Sequence, residues 1–333
     1  MPVDDQADLP VEVPSEPGEE AAHVLRVERI SDDHEVHSAT GADRGPHVHR
    51  ETVNNAADGV LTGCHERRYP ALVAEPIPLE LIDAVRNEDA VLFCGAGLSV
   101  SQGLPAAGDL AQSIAARMQD FDGDPKNLTQ VATAYAALRG RHALISFVVE
   151  SLMRQPCRPG PAHADLAGLP FHAFVTTNWD TLVEGALQAA QRRHQVVVTD
   201  SDVPFLTRAA VPVVKIHGEL ARPETLVITD RDYFDLFSLR LSLTRLLDHY
   251  FSTKTLVFVG FALADPDFKQ LFHACTQRFG PLRRHAYAVQ LGPASADRHI
   301  WQAEQVDVID ADAKDFAADL VRAVALPQSS GTA

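Results

Sequence analysis

The sequence predicts an α/β protein with a doubly wound parallel sheet, a small helical subdomain and a disordered acidic N-terminal tail. Three observations predict this class. Apolar runs of four or five residues recur after residue 76, as expected of parallel strands covered on both faces. Segments with helical periodicity alternate with these runs. A long stretch with helical periodicity alone separates the first run from the second.

The predicted tail covers residues 1–75. These residues include 16 Asp or Glu against 6 Lys or Arg, six histidines, and neither Phe nor Trp. Such a segment buries too little apolar surface to offset the entropy lost on ordering. We therefore expect disorder over 1–75 and a folded domain over 76–327. His47 and His49 flank a single valine without a repeating carboxylate pattern, which favours a solvated tail over a metal site.

The predicted elements alternate along the folded part. The predicted strands are Ala90–Cys94, Ala173–Thr176, Val196–Thr199, Val213–Ile216, Leu226–Ile228, Thr255–Val259, Ala286–Gln290 and Val306–Ile309. The predicted helices are Leu79–Arg86, Ala107–Met118, Leu128–Leu138, Ala143–Leu152, Thr181–Arg193 and Asp267–Arg278. The nearly 80 residues between the first two strands exceed one crossover connection, so we expect a helical subdomain over about 107–170. A cleft between this subdomain and the sheet is the expected ligand site.

Composition excludes several classes of partner. The formal net charge of −16 argues against direct binding to anionic membranes and nonspecific binding to nucleic acid, both of which reward clustered Lys and Arg. No apolar run approaches the roughly 18 residues of a membrane span, and the N-terminus has no secretory pattern. The four cysteines lack the close spacing of a zinc or redox site. Free thiols in a reducing, cytoplasmic setting are the simplest interpretation.

The first suggestive loop follows the first strand, in VLFCGAGLSVSQGLP over residues 91–105. Gly95, Ala96 and Gly97 let backbone N–H groups approach a diphosphate, and the next helix would add its positive end. Val100 stands where a dinucleotide fingerprint has its third glycine, and the lysine of a P-loop is missing. A tight turn capped by Ser99 explains the same residues, so both interpretations stay open here.

The second loop lies in FVTTNWDTLVEGAL over residues 174–187, where polar residues cluster between a strand and a helix. Asn178 offers both a donor and an acceptor, which suits a water or a ribose hydroxyl, and Asp180 can accept from an amide. Thr, Asn and Asp are also preferred helix N-caps. One cap leaves two of Thr177, Asn178 and Asp180 unexplained.

Two later strands end in residues with possible functions. His217 follows a buried-looking strand in VVKIHGEL and is the best placed of the fifteen histidines to exchange protons near neutral pH. A hydrogen-bonded structural histidine is the alternative. Gly260 in LVFVGFALADPDF permits close approach of a ligand, although a strand, a turn and a capped helix would account for that segment equally well.

Taken together, GAGLS, TTNWD, KIHGEL and VGFALADPDF occur in an order that resembles the sirtuin-like NAD-hydrolase family of bacteria, over about residues 78–320. The resemblance implies a Rossmann-like domain that binds NAD as its substrate. It implies a diphosphate loop formed by Gly95, Ala96, Gly97 and Ser99, and a polar set near the nicotinamide formed by Thr177, Asn178 and Asp180. It further implies His217 as the catalytic histidine, Gly260 and Phe261 bordering the adenosine ribose, and Gln290 near the adenine.

Departures from the protein-deacylating sirtuins narrow this expectation. The paired zinc-binding cysteines are missing, so no zinc or other metal is expected. The Pro-x-Phe-Arg of deacylases is absent after Leu104-Pro105, and Ala262 replaces a usual hydroxyl residue. These differences weaken deacylation and favour simple NAD cleavage. Because nicotinamide leaves from a pyridinium cation, the reaction needs little acid assistance and no pair of carboxyl groups.

We therefore expect an NAD glycohydrolase that releases nicotinamide and ADP-ribose, with Asn178 and His217 as the catalytic residues. The resemblance places it in antiphage defence, under the control of homo-oligomerisation or of a partner such as an ATPase or a nucleic-acid-sensing protein. Two rivals stay open: a non-catalytic module that senses NAD or ADP-ribose, and a zinc-free deacylase or ADP-ribosyltransferase.

Overall fold

The computed structural model describes residues 77–154, 157–264, 268, 269, 272, 273, 276 and 284–327. The tail predicted over residues 1–75 lies outside these residues, and so do parts of the helix predicted at Asp267–Arg278. The described residues of that helix, 268, 269, 272, 273 and 276, are helical.

Seven strands form one parallel sheet. They are β1 (Ala90–Cys94), β2 (Ala173–Thr176), β3 (His194–Val197), β4 (Val211–Lys215), β5 (Thr255–Val259), β6 (Ala286–Val289) and β7 (Val306–Ile309). Their order across the sheet is β3-β4-β2-β1-β5-β6-β7, and every described pairing is parallel. The predicted doubly wound class is confirmed.

Eleven α-helices lie entirely within the described residues. They are α1 (Leu79–Arg86), α2 (Ala96–Val100), α3 (Ala107–Ala115), α4 (Leu128–Arg139), α5 (Arg141–Met153), α6 (Pro161–Gly168), α7 (Leu182–Ala189), α8 (Asp230–Leu239), α9 (Leu241–Thr253), α10 (Ser295–Ala303) and α11 (Ala313–Ala325). Among these residues no helix combines the length and apolarity that a bilayer crossing requires. The 3₁₀ segments are Asp200–Phe205 and Pro223–Thr225.

The sheet is the middle layer of three, because alternate side chains of each strand enter different cores. Leu92 and Cys94 of β1 face one core, which α1, α6, α7 and α11 cover. Val91 and Phe93 face the other, which α9 and α10 cover. β1, β2 and β5 are therefore buried on both sides, which explains why they are continuous apolar runs rather than alternating ones.

A separate hydrophobic cluster joins α3, α4 and α5, while α6 packs on the sheet layer with α7 and α11. Leu226 and Ile228 belong to the helical cluster as well. The strand predicted at Leu226–Ile228 is therefore wrong. Its apolar side chains pack against the helical subdomain, and only extended backbone connects the 3₁₀ turn to α8.

The strand order reverses at β1. After β1 the chain builds β2, β3 and β4 on one side of it, and then β5, β6 and β7 on the other. The segments that follow β1 and β5 therefore lead to opposite faces of the sheet, with Leu98 in one core and Phe268 in the other. Ligands of open α/β sheets bind at such a switch point.

Candidate active site

A cleft of about 600 Å³ lies at the carboxyl edge of the sheet, beneath the helical subdomain. A volume of this size suits a ligand as large as a dinucleotide. Its walls include ten of the eleven site residues named from the sequence. These are Ala96, Gly97, Ser99, Thr177, Asn178, Asp180, His217, Gly260, Phe261 and Gln290. The eleventh, Gly95, is buried beneath the cleft, and its carbonyl accepts from Asn178.

The glycines interlock the loops after β1 and β5. Gly97 N–H donates to the Gly260 carbonyl at 2.8 Å, and Gly95 N–H donates to the Val259 carbonyl at 2.9 Å. A Cβ atom on Gly95 would lie 2.5 Å from the Gly260 carbonyl oxygen, and one on Gly260 would lie 2.8 Å from Leu98 N. Gly260 also has a φ of +81°, which favours glycine. The fold therefore requires glycine at these positions so that the two backbones can pack closely, whether or not a ligand binds.

The loop after β1 leads into α2, a helix of only five residues. The positive end expected there is accordingly small, because a short helix sums few peptide dipoles. Ala96 and Gly97 are nevertheless exposed to the cleft. The Gly97 N–H already donates to the Gly260 carbonyl, so Ala96 offers the backbone N–H of this loop to a diphosphate, while Gly97 permits its close approach.

Asn178, Ser99 and Asp180 form one hydrogen-bonded network. The Asn178 amide Nδ2 donates to Ser99 Oγ at 2.9 Å and to the Gly95 carbonyl at 3.0 Å, and Ser99 Oγ donates to Asp180 Oδ2 at 2.7 Å. Both amide protons of Asn178 are therefore used within the protein. Its carbonyl oxygen remains to face a ligand, which makes it an acceptor of defined orientation.

The capping alternative for this loop is resolved by Asp180. Its Oδ1 accepts from Leu182 N–H at 2.9 Å at the start of α7, while its Oδ2 accepts from Ser99. Thr176 shapes the loop from below: its hydroxyl donates to the Cys94 carbonyl and accepts from Asn178 N–H. Asp180 thus caps the helix and also orients the polar network.

His217 is 8% exposed and is held through its backbone. Its carbonyl accepts from the Trp179 indole at 3.0 Å and from Val227 N–H at 2.9 Å, and its ring packs edge-on against Tyr233. No described residue provides a hydrogen-bond partner for its Nε2 atom. An unpartnered buried nitrogen in a cleft wall is what a ligand or a water would satisfy.

The charge state of His217 follows from its surroundings. Burial lowers the pKa of His217 to about 3, and the charge of nearby Arg240 acts in the same direction. The imidazole is therefore neutral at neutral pH. Arg240 also donates to the Ile216 and Thr225 carbonyls, so one side chain supports the loop and contributes to the electrostatics.

Gln290 and Asp312 line the far end of the cleft, together with Phe261. The Gln290 side-chain oxygen accepts from Leu263 N–H at 2.9 Å, which fixes the amide next to the loop after β5. No described lysine or arginine lines the cleft. Among the described residues, no group of His, Cys, Asp and Glu has an arrangement that would hold a metal ion.

Three residues that support the site were not predicted from the sequence. Trp179 connects the loop after β2 to the His217 backbone, and Tyr233 comes to His217 from α8. Lys215 is fully buried at the end of β4 and pairs with Glu184 at 2.8 Å. Of the three, only Lys215 has a signal in the sequence, because a charged residue inside an apolar strand such as VVKI indicates a buried partner of opposite charge.

Comparison with known proteins confirms the resemblance that the motifs indicated. Residues 172–309, which contain TTNWD, KIHGEL and VGFALADPDF, match the family described as the SIR2-like domain. The chain is 28% identical over 209 residues to a Bacillus cereus (strain MSX-D12) protein named NAD(+) hydrolase ThsA, covering 62% of this chain and 44% of that one.

A second relative and a solved structure are also similar to this chain. A Bacillus subtilis protein named defense-associated sirtuin 2 is 23% identical over 204 residues, covering 58% of this chain and 20% of that one. A solved Sir2 homologue in complex with NAD aligns with a TM-score of 0.46 and 14% identity, covering 75% of this chain and 95% of that one. The chain spans less than half the length of the curated hydrolases it matches.

Proposed function

We propose that this chain is an NAD glycohydrolase that cleaves NAD to nicotinamide and ADP-ribose. The observation that carries the proposal is that one cleft brings together the Asn178–Ser99–Asp180 network and a neutral His217 whose Nε2 has no partner among the described residues. The relatives named NAD(+) hydrolase support NAD as the substrate. In this proposal the Ala96 N–H binds the diphosphate, Gly97 leaves room for it, and Gly260 and Phe261 border the adenosine end.

The reaction breaks the bond between ribose C1′ and the nicotinamide nitrogen. The bonding electrons move to the pyridinium ring and neutralise its charge, so no acid is needed on the leaving group. A water oxygen bonds to C1′, and its proton passes to His217. With a pKa of about 3, His217 is a weak base, which suffices because the oxocarbenium-like carbon makes the attacking water strongly acidic. The Asn178 oxygen orients the water or a ribose hydroxyl.

We further propose that the activity serves antiphage defence, since the Bacillus subtilis relative is named defense-associated sirtuin 2. Uncontrolled loss of NAD would harm the cell that makes the enzyme. The proposal therefore includes restraint by homo-oligomerisation or by a partner, such as an ATPase or a nucleic-acid-sensing protein, in the cytoplasm.

The test is chromatography of the products after the purified full chain is incubated with NAD. We expect free nicotinamide and ADP-ribose without any acceptor. Asn178→Ala and His217→Ala should lower the rate by about 10²- to 10⁴-fold while the fold is retained. His285→Ala is the matched control, because His285 is exposed at the opposite, amino edge of the sheet and should leave the rate unchanged.

Other products would favour another function. Intact NAD with measurable binding would favour a sensing module, and turnover that requires an acylated peptide would favour a deacylase. Transfer of labelled ADP-ribose to protein would favour a transferase. Full activity in either the Asn178 or the His217 variant would remove the role assigned to that residue.

A further inference from the structure

Lys215 is the most deeply buried charged side chain near the cleft, with no solvent exposure. It is the last residue of β4, two positions before His217. Its ammonium group donates to the Asp180 main-chain carbonyl and to Glu184 Oε1. The Lys215 side chain thus connects β4, which leads directly to His217, with the loop that contains Asn178 and Asp180.

The Asp180 carbonyl has a reason to need this donor. The first backbone hydrogen bond of α7 runs from the Gly185 N–H to the carbonyl of Thr181, which is the residue after Asp180. The Asp180 carbonyl therefore lies outside the backbone hydrogen bonds of the helix and points into the interior. A buried carbonyl without a donor would be costly, so Lys215 fixes the direction in which this peptide unit faces.

Glu184 neutralises the buried charge from α7. Its Oε1 accepts from Lys215 at 2.8 Å, and its Oε2 has no partner among the described residues. An ion pair of this kind is weak evidence of a stabilising role, because apolar residues of similar volume often replace buried pairs without loss of stability. The position of Lys215 between two site loops calls for another explanation.

We propose that Lys215 is a positioning residue, which sets the separation between the Asn178–Asp180 loop and His217 by holding the Asp180 carbonyl. The inference rests on the proposed NAD cleavage for its kinetic consequence. Trp179 also connects these loops: its indole donates to the His217 carbonyl, and its own carbonyl accepts from Leu220 N–H at 3.1 Å. Loss of Lys215 should therefore loosen this indole bond as well as slow the reaction.

The experiment compares three variants of the full chain. Lys215→Met leaves Glu184 buried without its partner and should lower the melting temperature. Lys215→Met with Glu184→Leu removes both charges and should recover much of that loss. Lys254→Met is the matched control, because Lys254 is also ion-paired and half-buried, with Asp89, but lies at the amino edge of the sheet.

The decisive variant is the double one. We expect its kcat to stay about 10- to 100-fold below that of the wild type, with KM changed much less, since a shift of about 1 Å in reacting groups can cost 10²-fold. Lys254→Met should keep the wild-type kcat. A double variant with both stability and kcat restored would overturn the inference, because a merely structural ion pair predicts that result.

A second measurement is independent of NAD. The chain has two tryptophans, and each donates its indole N–H to a carbonyl: Trp179 to His217 and Trp301 to Leu263. In the double variant the Trp179 indole should exchange its hydrogen roughly five- to tenfold faster by NMR, while Trp301 is unchanged. Equal exchange in wild type and variant would refute the inference. A wild type that releases no nicotinamide would refute the proposed function alone.

Discussion

Substitution of His217 by glutamine removes a titratable group that the fold keeps neutral. His217 is 8% exposed and lies near the charge of Arg240, and no residue in the described part of the chain bonds to its Nε2. In the folded state burial is the larger obstacle to protonation of His217, and the positive charge of Arg240 is the smaller one. In the unfolded chain neither applies, so the unfolded chain binds this proton more readily.

The sign of the effect follows from this difference. The pKa of His217 falls from 6.5 to about 3 on folding, so the wild type loses stability as the pH drops from 6.5 towards 3. Each pH unit within that window removes up to about 1.4 kcal/mol. Between pH 7 and pH 4.5 this residue alone should remove about 2.5 kcal/mol from the free energy of unfolding.

The assay is urea unfolding of wild type and His217→Gln at several pH values, followed by circular dichroism. The wild type should lose about 2.5 kcal/mol more than the variant between pH 7 and pH 4.5. Burial also lowers the pKa of His163, but that contribution is common to both proteins and cancels in the difference. Parallel pH profiles would show that His217 is solvated or partnered, and the reasoning about its neutral state would fail.

Two further substitutions test the packing and electrostatics of the site. Gly260→Ala should destabilise the protein by about 2–4 kcal/mol, because its Cβ would lie 2.8 Å from the backbone of the loop after β1. Gly292→Ala, also at positive φ but with open space around it, should cost only about 1 kcal/mol, and equal urea midpoints for the two would contradict the close approach. Arg240→Met should raise the pKa of His217 in an NMR titration, while substitution of the exposed Arg231 by methionine should not; an unchanged value in Arg240→Met would leave burial as the sole cause.

The strands were predictable where burial alone decides the pattern. β1, β2, β5 and β7 have the predicted bounds, because each is a short run of mainly apolar residues that pairs in register with its neighbours. β3 is an edge strand and begins two residues before its apolar part, at His194. Leu226–Ile228 shows the limit of the pattern, since an apolar run packs against helices as readily as it enters a sheet.

The polar side chains of the site were predictable as a group because parallel strands bring their carboxyl ends to one edge. Their partners were not, because these depend on register. Thr176 pairs with Lys215 across β2 and β4, which places the lysine under the loop after β2. The bond from Trp179 to the His217 carbonyl depends on the same register. No spacing within a single motif contains this information.

The glycines at the switch point show how ligand binding and folding are coupled there. Gly95 is buried, and its Cβ would meet Gly260, so a substitution at Gly95 would separate two loops of the fold and would not report on a ligand. Ala96 differs, because it is exposed to the cleft and already carries a Cβ. A larger side chain at Ala96 would occupy space where the diphosphate is proposed to bind while leaving the glycine contacts intact. Position 96 is therefore where the contribution of this loop to NAD affinity can be separated from its contribution to stability.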